Sequence, residues 1–379
     1  MAATHDVAII GLGAMGSAAA YHLARRGRKV IAFDLSVPPH ALGSTHGQSR
    51  IIREAYFEHP LYVPLVRRSY ECWHQLQADA GKPLLNQTGA VLIGPAQGML
   101  VGGTRLSADR YGLDYEMLTA DEVRQRYPVL HPADGTVAVY EPRAGILFPE
   151  KCVEAHLGLA SRHGAELHFD ETVTGWKPKR KGVEITTERG KYVASRLVLT
   201  PGAWMNRLLP DLQLPLTVER QVIYWFEPIA GHEAFELGRL PVYAWEYEDE
   251  ALFYGFPNLG DGVKIAVHHQ GVVTDVDSID RTVDETEVGA MRALVSGFIP
   301  DLAGALLRSE VCMYTNTPDE HFIIDFHPEL PQVLIVSPCS GHGFKFAAVI
   351  GEITADLLIE GKTEFDLAPF RLDRFSEKE

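Results

Sequence analysis

The chain opens with two short apolar runs on either side of a helical segment. Residues 7–10 and 30–33 are continuously apolar, and residues 14–26 have helical spacing that stops at Gly27. Short apolar runs are typical of buried strands, and glycine commonly follows the last residue of a helix. The opening is therefore predicted to be a strand, a helix and a second strand that ends at Asp34.

Helical and strand-like patterns alternate through much of the later chain. Helices are predicted at residues 61–79, 152–164 and 347–359. Strands are predicted at residues 166–169, 182–187, 196–200 and 333–336. Dipeptides typical of turns lie at Gly94-Pro95, Gly102-Gly103, His131-Pro132 and Glu141-Pro142.

The sequence pattern changes at residues 216–269, where apolar and polar positions alternate and Tyr, Trp and Phe are frequent. This pattern predicts strands at residues 218–226, 242–247, 251–256 and 263–268. We therefore expect an α/β protein, α+β in its overall organisation, with two domains. Residues 1–85, 145–215 and 310–379 are predicted to form a discontinuous Rossmann-like domain, and residues 86–144 and 216–309 a second, antiparallel-sheet substrate domain.

Composition narrows the class of protein. The chain has 379 residues, 46% of them hydrophobic, and a formal net charge of -15, which argues against nucleic acid as a partner. Four cysteines without short paired spacing indicate neither a disulfide scaffold nor a metal site. Residues 1–6 lack the features of a signal peptide, and no segment has the apolar length of a membrane span, so a cytoplasmic location is expected.

The glycine motif between the first strand and helix predicts a dinucleotide site. Gly11 permits the tight turn, Gly13 lets a pyrophosphate approach the backbone, and Gly16 allows close packing of the helix. The helix N-terminus favours the negative pyrophosphate, and Asp34 can accept the ribose hydroxyls. This motif does not distinguish FAD from NAD.

Three later segments carry further information: residues 43–56 (GSTHGQSRIIREAY), 312–325 (CMYTNTPDEHFIID) and 340–346 (SGHGFKF). Together they resemble the monomeric sarcosine oxidase family, which includes N-methyltryptophan oxidase and pipecolate oxidase. The resemblance covers nearly the whole chain and includes residues 254–257 (YGFP), 262–264 (GVK) and 361–366 (GKTEFD).

The family resemblance implies an activity and a cofactor. It implies an FAD-dependent enzyme that oxidises a secondary amino acid, N-methylated or cyclic, and passes the electrons to O2 to give hydrogen peroxide. N-methyl substrates would also release formaldehyde. The partners implied are the small amino acid and O2, the expected state is a monomer, and the Rossmann-like domain would bind FAD.

Cys312 matches the cysteine to which this family links the flavin 8α-methyl group by a thioether. Taken alone, a cysteine in an apolar strand is more often a small buried side chain. Cys339, just before the second glycine-rich loop, is the competing candidate. The family motif favours Cys312.

Further roles follow from the same resemblance. Arg53 and Lys345 match the pair that binds the substrate carboxylate, which a guanidinium and an ammonium suit well. Arg50 is expected against the flavin ring, on one face of a helical turn with Arg53. Lys264 matches the lysine that activates O2. The other predicted catalytic residues are His46, Tyr254, His268 and Tyr314, and the predicted FAD-binding residues are Gly11, Gly13, Ala14, Met15, Gly16, Asp34, Ser44, Arg50, Val173, Cys312, Gly341, Gly343, Phe344 and Lys345.

Alternatives remain open from the sequence. Gln48-Ser49, Pro338-Cys339 and much of residues 86–140 depart from sarcosine oxidase, so the preferred substrate does not carry over. The same amine chemistry also suits a dehydrogenase that passes electrons to another carrier. A catalytically silent flavin protein and a nicotinamide dehydrogenase are the alternatives from other classes.

Overall fold

The structure is a computed structural model that describes residues 5–375. The expected lack of a signal peptide rests on residues 1–6, of which residues 1–4 lie outside the described residues. Residues 376–379 of the predicted Rossmann-like domain also lie outside them.

Strands make up much of the described chain. In chain order they are β1 His5–Ile10, β2 Val30–Phe33, β3 Arg50–Ile52, β4 Leu85–Gln87, β5 Ala90–Gly94, β6 Glu116–Thr119, β7 Val137–Glu141, β8 Gly145–Leu147, β9 Glu166–His168, β10 Val173–Lys179, β11 Gly182–Thr187, β12 Lys191–Leu199, β13 Thr217–Phe226, β14 Val242–Glu248, β15 Ala251–Gly255, β16 Val263–His268, β17 Val272–Val273, β18 Leu306–Asn316, β19 Ile323–His327 and β20 Leu330–Ser337.

Helices lie between these strands. The α-helices are α1 Ala14–Arg25, α2 Val63–Ala80, α3 Met99–Tyr111, α4 Ala120–Arg126, α5 Pro149–Arg162, α6 Met205–Leu208, α7 Glu285–Ser296 and α8 Ala347–Glu360. A 3-10 helix, Phe344–Phe346, leads directly into α8. None of the helices within residues 5–375 has the length and apolar character needed to cross a membrane.

The first large sheet is built on the opening βαβ unit. Strands β20, β12, β1, β2 and β9 lie side by side and run parallel, while β10, β11 and β19 add antiparallel pairs. Helix α1 packs on α5 and α8, and its residues 16–24 are buried. Strand β1 is buried on both faces, since Val7 and Ile9 pack in one apolar cluster and Ala8 and Ile10 in another, which fits its continuously apolar sequence.

The second large sheet has nine strands, most of them antiparallel. Its order is β17, β13, β16, β15, β14, β5, β7 and β6, and β18 pairs with β13 along almost its whole length. Strands β5 and β14 form the one parallel pair among the described strands of this sheet. A third sheet of β3, β8 and β4 joins the segment that begins at Arg50 to the rest of the molecule.

The predicted α/β class with a Rossmann-like unit and a second sheet is confirmed. The exact limits of the two domains stay a prediction. Strand β18 lies in the second sheet, although the predicted limits assign residues 310–316 to the Rossmann-like domain.

Two local predictions are wrong. Gly102-Gly103 was expected in a turn but lies inside α3, where a side chain at Gly103 would collide with the backbone carbonyl of Phe57. The glycine therefore serves close packing of a helix. Residues 50–52 form strand β3 and not a helical turn, because their backbone pairs with β8, so Arg50 and Arg53 do not share a helix face.

Candidate active site

A cavity of about 420 Å³ is lined by residues of both large sheets. It takes in almost all of the predicted FAD-binding residues, although they come from distant parts of the chain. Those that line it are Gly11, Gly13, Ala14, Met15, Asp34, Ser44, Arg50, Val173, Cys312, Gly341, Gly343, Phe344 and Lys345. Gly16 lies outside the lining, and a side chain there would collide with the carbonyl of Gly11.

One end of the cavity is formed by the glycine turn, the N-terminus of α1 and the end of β2. Gly11 has φ of 92°, and a Cβ atom there would lie 2.5 Å from the carbonyl oxygen of Thr200. The carboxylate of Asp34 accepts hydrogen bonds from Leu12 N at 2.7 Å and Ser36 N at 3.1 Å. These bonds hold the carboxylate beside the turn, where it can meet a ribose.

Cys312 lies farther along the cavity, on β18. Its Sγ is 3.8 Å from the carbonyl oxygen of Ser44 and 3.9 Å from Nη2 of Arg50. Burial alone would raise the pKa of this thiol, but its interactions with the His46 imidazole and the Arg50 guanidinium lower it to about 7. Burial raises the pKa of Cys339, which also lines the cavity, to about 11.

Arg53 and Lys345 come together with Glu58 in the cavity lining. The Arg53 guanidinium forms an ion pair with Glu58, and Lys345 Nζ donates to Tyr56 Oη at 3.3 Å and to the carbonyl oxygen of His342 at 2.8 Å. Burial and the Arg53 charge lower the pKa of Lys345 to about 7. Although burial raises it, the pKa of Glu58 falls to about 2 because of Arg53, so this carboxyl is ionised.

Three polar side chains from the second sheet also line the cavity. His268 Nδ1 lies 3.1 Å from Tyr314 Oη, and the ring of Tyr254 contacts that of His268 edge-on. Burial, with the neighbouring His269, holds the pKa of His268 well below its usual value. Burial raises the pKa values of Tyr254 and Tyr314. At neutral pH these three groups are therefore uncharged hydrogen-bonding partners.

Lys264 and His46 lie just behind the cavity lining. Lys264 Nζ donates to the carbonyl oxygens of Gly47 at 2.7 Å and Ser49 at 2.9 Å, and burial holds its pKa well below the usual value. Arg50 stabilises the same loop, since Nη1 donates to Ser49 O and Nη2 to Ser44 O, each at 2.8 Å. Lys264 is thus fixed by the same loop as Arg50, and neither Lys264 nor His46 is part of the cavity lining.

Some residues of the site had no distinguishing signal in the sequence. Glu58 is one acidic residue among 50 Asp and Glu, and only the fold shows that it pairs with Arg53. Glu310 contacts His46, which lies 264 residues earlier in the sequence. Thr200-Pro201-Gly202 lines the cavity at the end of β12, where the apolar strand followed by Pro-Gly could have indicated it.

The arrangement fits FAD. A glycine turn, a helix N-terminus and a carboxylate suit the ADP half of the molecule, and the thiol of Cys312 and the cations line the same cavity. Nothing in this set suits a metal ion, and among the described residues no group of three His, Cys, Asp or Glu side chains could hold one.

Comparison with known proteins gives one consistent relationship. Residues 6–357 match a family described as FAD dependent oxidoreductase. The chain is 47% identical to a monomeric sarcosine oxidase of Streptomyces avermitilis, over 98% of this chain and 97% of that protein. It is 36% identical to an N-methyl-L-tryptophan oxidase of Yersinia pestis, over 98% of this chain and 99% of that protein.

Solved structures agree on the fold. NikD, an unusual amino acid oxidase essential for nikkomycin biosynthesis, superposes with a TM-score of 0.85 at 24% identity, over 97% of each chain. An L-proline dehydrogenase from P. horikoshii superposes with a TM-score of 0.86 at 22% identity, over 99% of this chain and 98% of that one.

Proposed function

The chain belongs to the FAD dependent oxidoreductase family, in its monomeric sarcosine oxidase and N-methyl-L-tryptophan oxidase group, and from this membership we propose that it oxidises a secondary amino acid, N-methylated or cyclic. The observation that carries the proposal is the pair of buried cations, Arg53 and Lys345, at one end of the cavity that fits FAD. An amino acid substrate brings a carboxylate that this pair can bind.

The charges at that end of the cavity suit one carboxylate. Protonated Lys345 and Arg53 supply two positive charges, and ionised Glu58 removes one. A substrate carboxylate would complete the neutralisation of a buried site that otherwise keeps a single positive charge. The planar guanidinium of Arg53 also allows paired hydrogen bonds to both carboxylate oxygens.

The same cations favour the reactive form of the substrate amine. Because Glu58 and the substrate carboxylate offset Arg53 and Lys345, Arg50 is the positive charge that remains, and its repulsion disfavours the ammonium form, so the amine binds with its lone pair free. Tyr254, His268 and Tyr314 are neutral and can orient the amine by hydrogen bonds without adding charge. Bound FAD supplies the two-electron acceptor for this oxidation.

We propose O2 as the final electron acceptor. For an N-methyl substrate the balance is substrate, O2 and water going to the demethylated amino acid, formaldehyde and H2O2. Lys264 is proposed as the group that favours the reaction with O2, because its buried Nζ lies close behind the cavity and, when protonated, supplies a positive charge there. Positive charge placed where negative charge develops lowers the barrier of such a step.

We also propose that Cys312 joins the FAD through a thioether at the 8α carbon. The thiol and the methyl group each lose one hydrogen atom, and O2 takes up the resulting two protons and two electrons as H2O2. A pKa of about 7 makes a substantial fraction of Cys312 thiolate at neutral pH, whereas Cys339, with its pKa of about 11, stays a thiol.

The proposed state of the protein is a cytoplasmic monomer. All four cysteines are unpaired, which suits a reducing compartment. Elution at the 41.9 kDa of one chain in size-exclusion chromatography would agree with the monomer.

The proposed function is tested by anaerobic bleaching of the flavin. Purified protein is mixed without air with sarcosine, N-methyltryptophan, proline and pipecolate in turn, and the visible flavin band is followed. We expect at least one substrate to bleach it and to form H2O2 after air is admitted. A flavin that no member of the series bleaches would contradict the oxidation. Bleaching without reoxidation by air would favour the carrier-linked dehydrogenase.

A further inference from the structure

Glu310, His46 and Cys312 form a cluster beside the cavity. Glu310 and Cys312 are two residues apart on β18, so their side chains leave the same face of the strand. His46 comes from the loop that precedes β3, and its Nδ1 lies 2.8 Å from Oε2 of Glu310. The imidazole also interacts with the thiol of Cys312. The imidazole is thus fixed by the Glu310 carboxylate at Nδ1, while its buried Nε2 makes no hydrogen bond among the described residues and is left for the thiol side of the cluster.

Burial makes this contact consequential. His46 is 5% exposed, and the side chain of Glu310 is 29% exposed. Burial would lower the pKa of His46, but the interactions with Cys312 and Glu310 raise it to about 9. Between the Cys312 pKa of about 7 and this value, the cluster holds an imidazolium beside a thiolate. Glu310 balances the imidazolium charge on its other side.

We propose that Glu310 is a positioning residue for attachment of FAD, because its carboxylate holds the His46 imidazole beside Cys312 and offers it a counter-charge. The inference rests on the proposed thioether. It assigns to Glu310 the orienting role that a carboxylate takes in other carboxylate–imidazole–nucleophile arrangements. Thiolate is the form of cysteine that forms bonds to carbon, so a larger thiolate fraction speeds attachment.

Other charged or titratable groups also act on this thiol. Arg50 favours the thiolate from the loop side, and Tyr254 and Tyr314 face it as neutral phenols. Lys264 and Glu150 also interact electrostatically with the charged groups around Cys312. Arg308 Nε lies 3.5 Å from the other oxygen of Glu310. These groups are unchanged in a Glu310 variant, so a change of thiol reactivity reports on Glu310 and His46.

The test compares Glu310→Gln with the wild type and with Glu227→Gln. Gln has the shape of Glu without its charge, and Glu227 is an exposed carboxylate just after β13, the strand that pairs with β18. The full chain is produced under riboflavin starvation. Alkylation of Cys312 by iodoacetamide is then followed against pH by peptide mass spectrometry. Cys72 and Cys152 serve as internal references, since burial raises their pKa values.

We expect the Cys312 alkylation midpoint to lie near pH 7 in the wild type and in Glu227→Gln. In Glu310→Gln it should rise by about one unit or more, because the imidazolium loses its counter-charge. An unchanged midpoint would overturn the inference. Slow alkylation of Cys72 and Cys152 shows that the variant is folded.

The second measurement adds FAD and follows the flavin that stays with acid-precipitated protein. Glu310→Gln should form this acid-stable flavin about tenfold more slowly, in line with its smaller thiolate fraction, while still binding FAD before precipitation. An unchanged rate would overturn the role of Glu310. A wild type without acid-stable flavin would overturn the thioether and this inference with it. Anaerobic bleaching needs only bound FAD and would still test the proposed oxidation.

Discussion

Lys345 is a buried lysine whose charge changes near neutral pH. Its pKa of about 7 reflects burial and the Arg53 charge, so in the ligand-free protein the ammonium is present below pH 7 and lost above it. A carboxylate binds the ammonium form more tightly, and binding in turn raises this pKa. The pH dependence of carboxylate binding therefore reports directly on Lys345.

The first prediction concerns the dissociation constant of a simple carboxylate such as acetate, measured by its perturbation of the flavin spectrum. We expect a constant value below pH 7 and about a tenfold rise per pH unit above it, up to the pKa of the complex. Lys345→Met should bind about 10 to 100 times more weakly, because it loses a charge-assisted hydrogen bond, and should show no such rise. Lys362→Met, at an exposed lysine after α8, is the control. The same pH profile in Lys345→Met would assign the titration to another group.

The second prediction concerns Lys264. Its buried Nζ is held by the carbonyl oxygens of Gly47 and Ser49 and lies 4.8 Å from the centroid of the Phe256 ring. We expect Lys264→Met to slow reoxidation of the reduced flavin by O2 about 100-fold or more, the usual effect of removing one electrostatic stabiliser. Its reduction by substrate should change far less. Stopped-flow measurement of the two half-reactions checks this, with the exposed Lys151→Met as control. Equal losses in both half-reactions would contradict the proposed role.

The role of a residue could be predicted from the sequence where a recognisable motif surrounds it. It could not be predicted where the role depends on a contact that only the folded structure shows. Arg53, Cys312 and Lys345 lie in segments shared with a family, and the fold brings all three to one cavity. Glu58 and Glu310 gain their significance only from Arg53 and His46. No local pattern of the chain encodes such pairings.

At the scale of elements, periodicity located most of the strands and helices. Strands β11 and β16 have the predicted limits, and α1 and α8 differ from prediction by one residue at the end. Helix α3 was missed because Gly102-Gly103 is typical of turns. Helices α4 and α7 were missed although each starts with a capping box, which the sequence does contain.

The third prediction concerns the contact of α1 with α8. Gly351 of α8 lies so close to α1 that a Cβ atom would be 2.6 Å from the backbone carbon of Ala18. Gly351→Ala is expected to lower the free energy of unfolding by about 1–3 kcal/mol, since the helices must move apart. Gly289→Ala in α7, where a Cβ atom meets nothing within 4 Å, should raise it by about 0.5–1 kcal/mol. Denaturant unfolding measures the free energy of unfolding of both variants. Equal changes in the two would show that helix propensity alone determines the effect.

At the scale of the whole molecule, the proposed FAD site joins parts of the chain that are far apart in sequence. Gly11, Arg50, Val173, Cys312 and Lys345 all line one cavity between two sheets. The opening βαβ unit predicts only that a dinucleotide binds. Its strands and helix suffice for dinucleotide binding and say nothing about the reaction. The reaction depends on the side chains that the second sheet and the loop of residues 340–346 bring to the cavity. A cofactor in such a site must stabilise the whole fold.

The last prediction follows from this coupling and from the proposed thioether. In Cys312→Ser the FAD would be able to dissociate, so the melting temperature should rise with added FAD. The free energy of unfolding behind this rise should increase by about 1.4 kcal/mol for each tenfold excess of FAD over its dissociation constant. The wild-type holoprotein should not respond, because its cofactor cannot leave. Differential scanning calorimetry over a series of FAD concentrations measures both. ADP is the control ligand: it matches the half of FAD that fits the glycine turn and Asp34, so it should also stabilise Cys312→Ser, but less at the same concentration. A wild-type melting temperature that rises with FAD would rule out the covalent bond, whereas a Cys312→Ser protein insensitive to FAD would rule out the site.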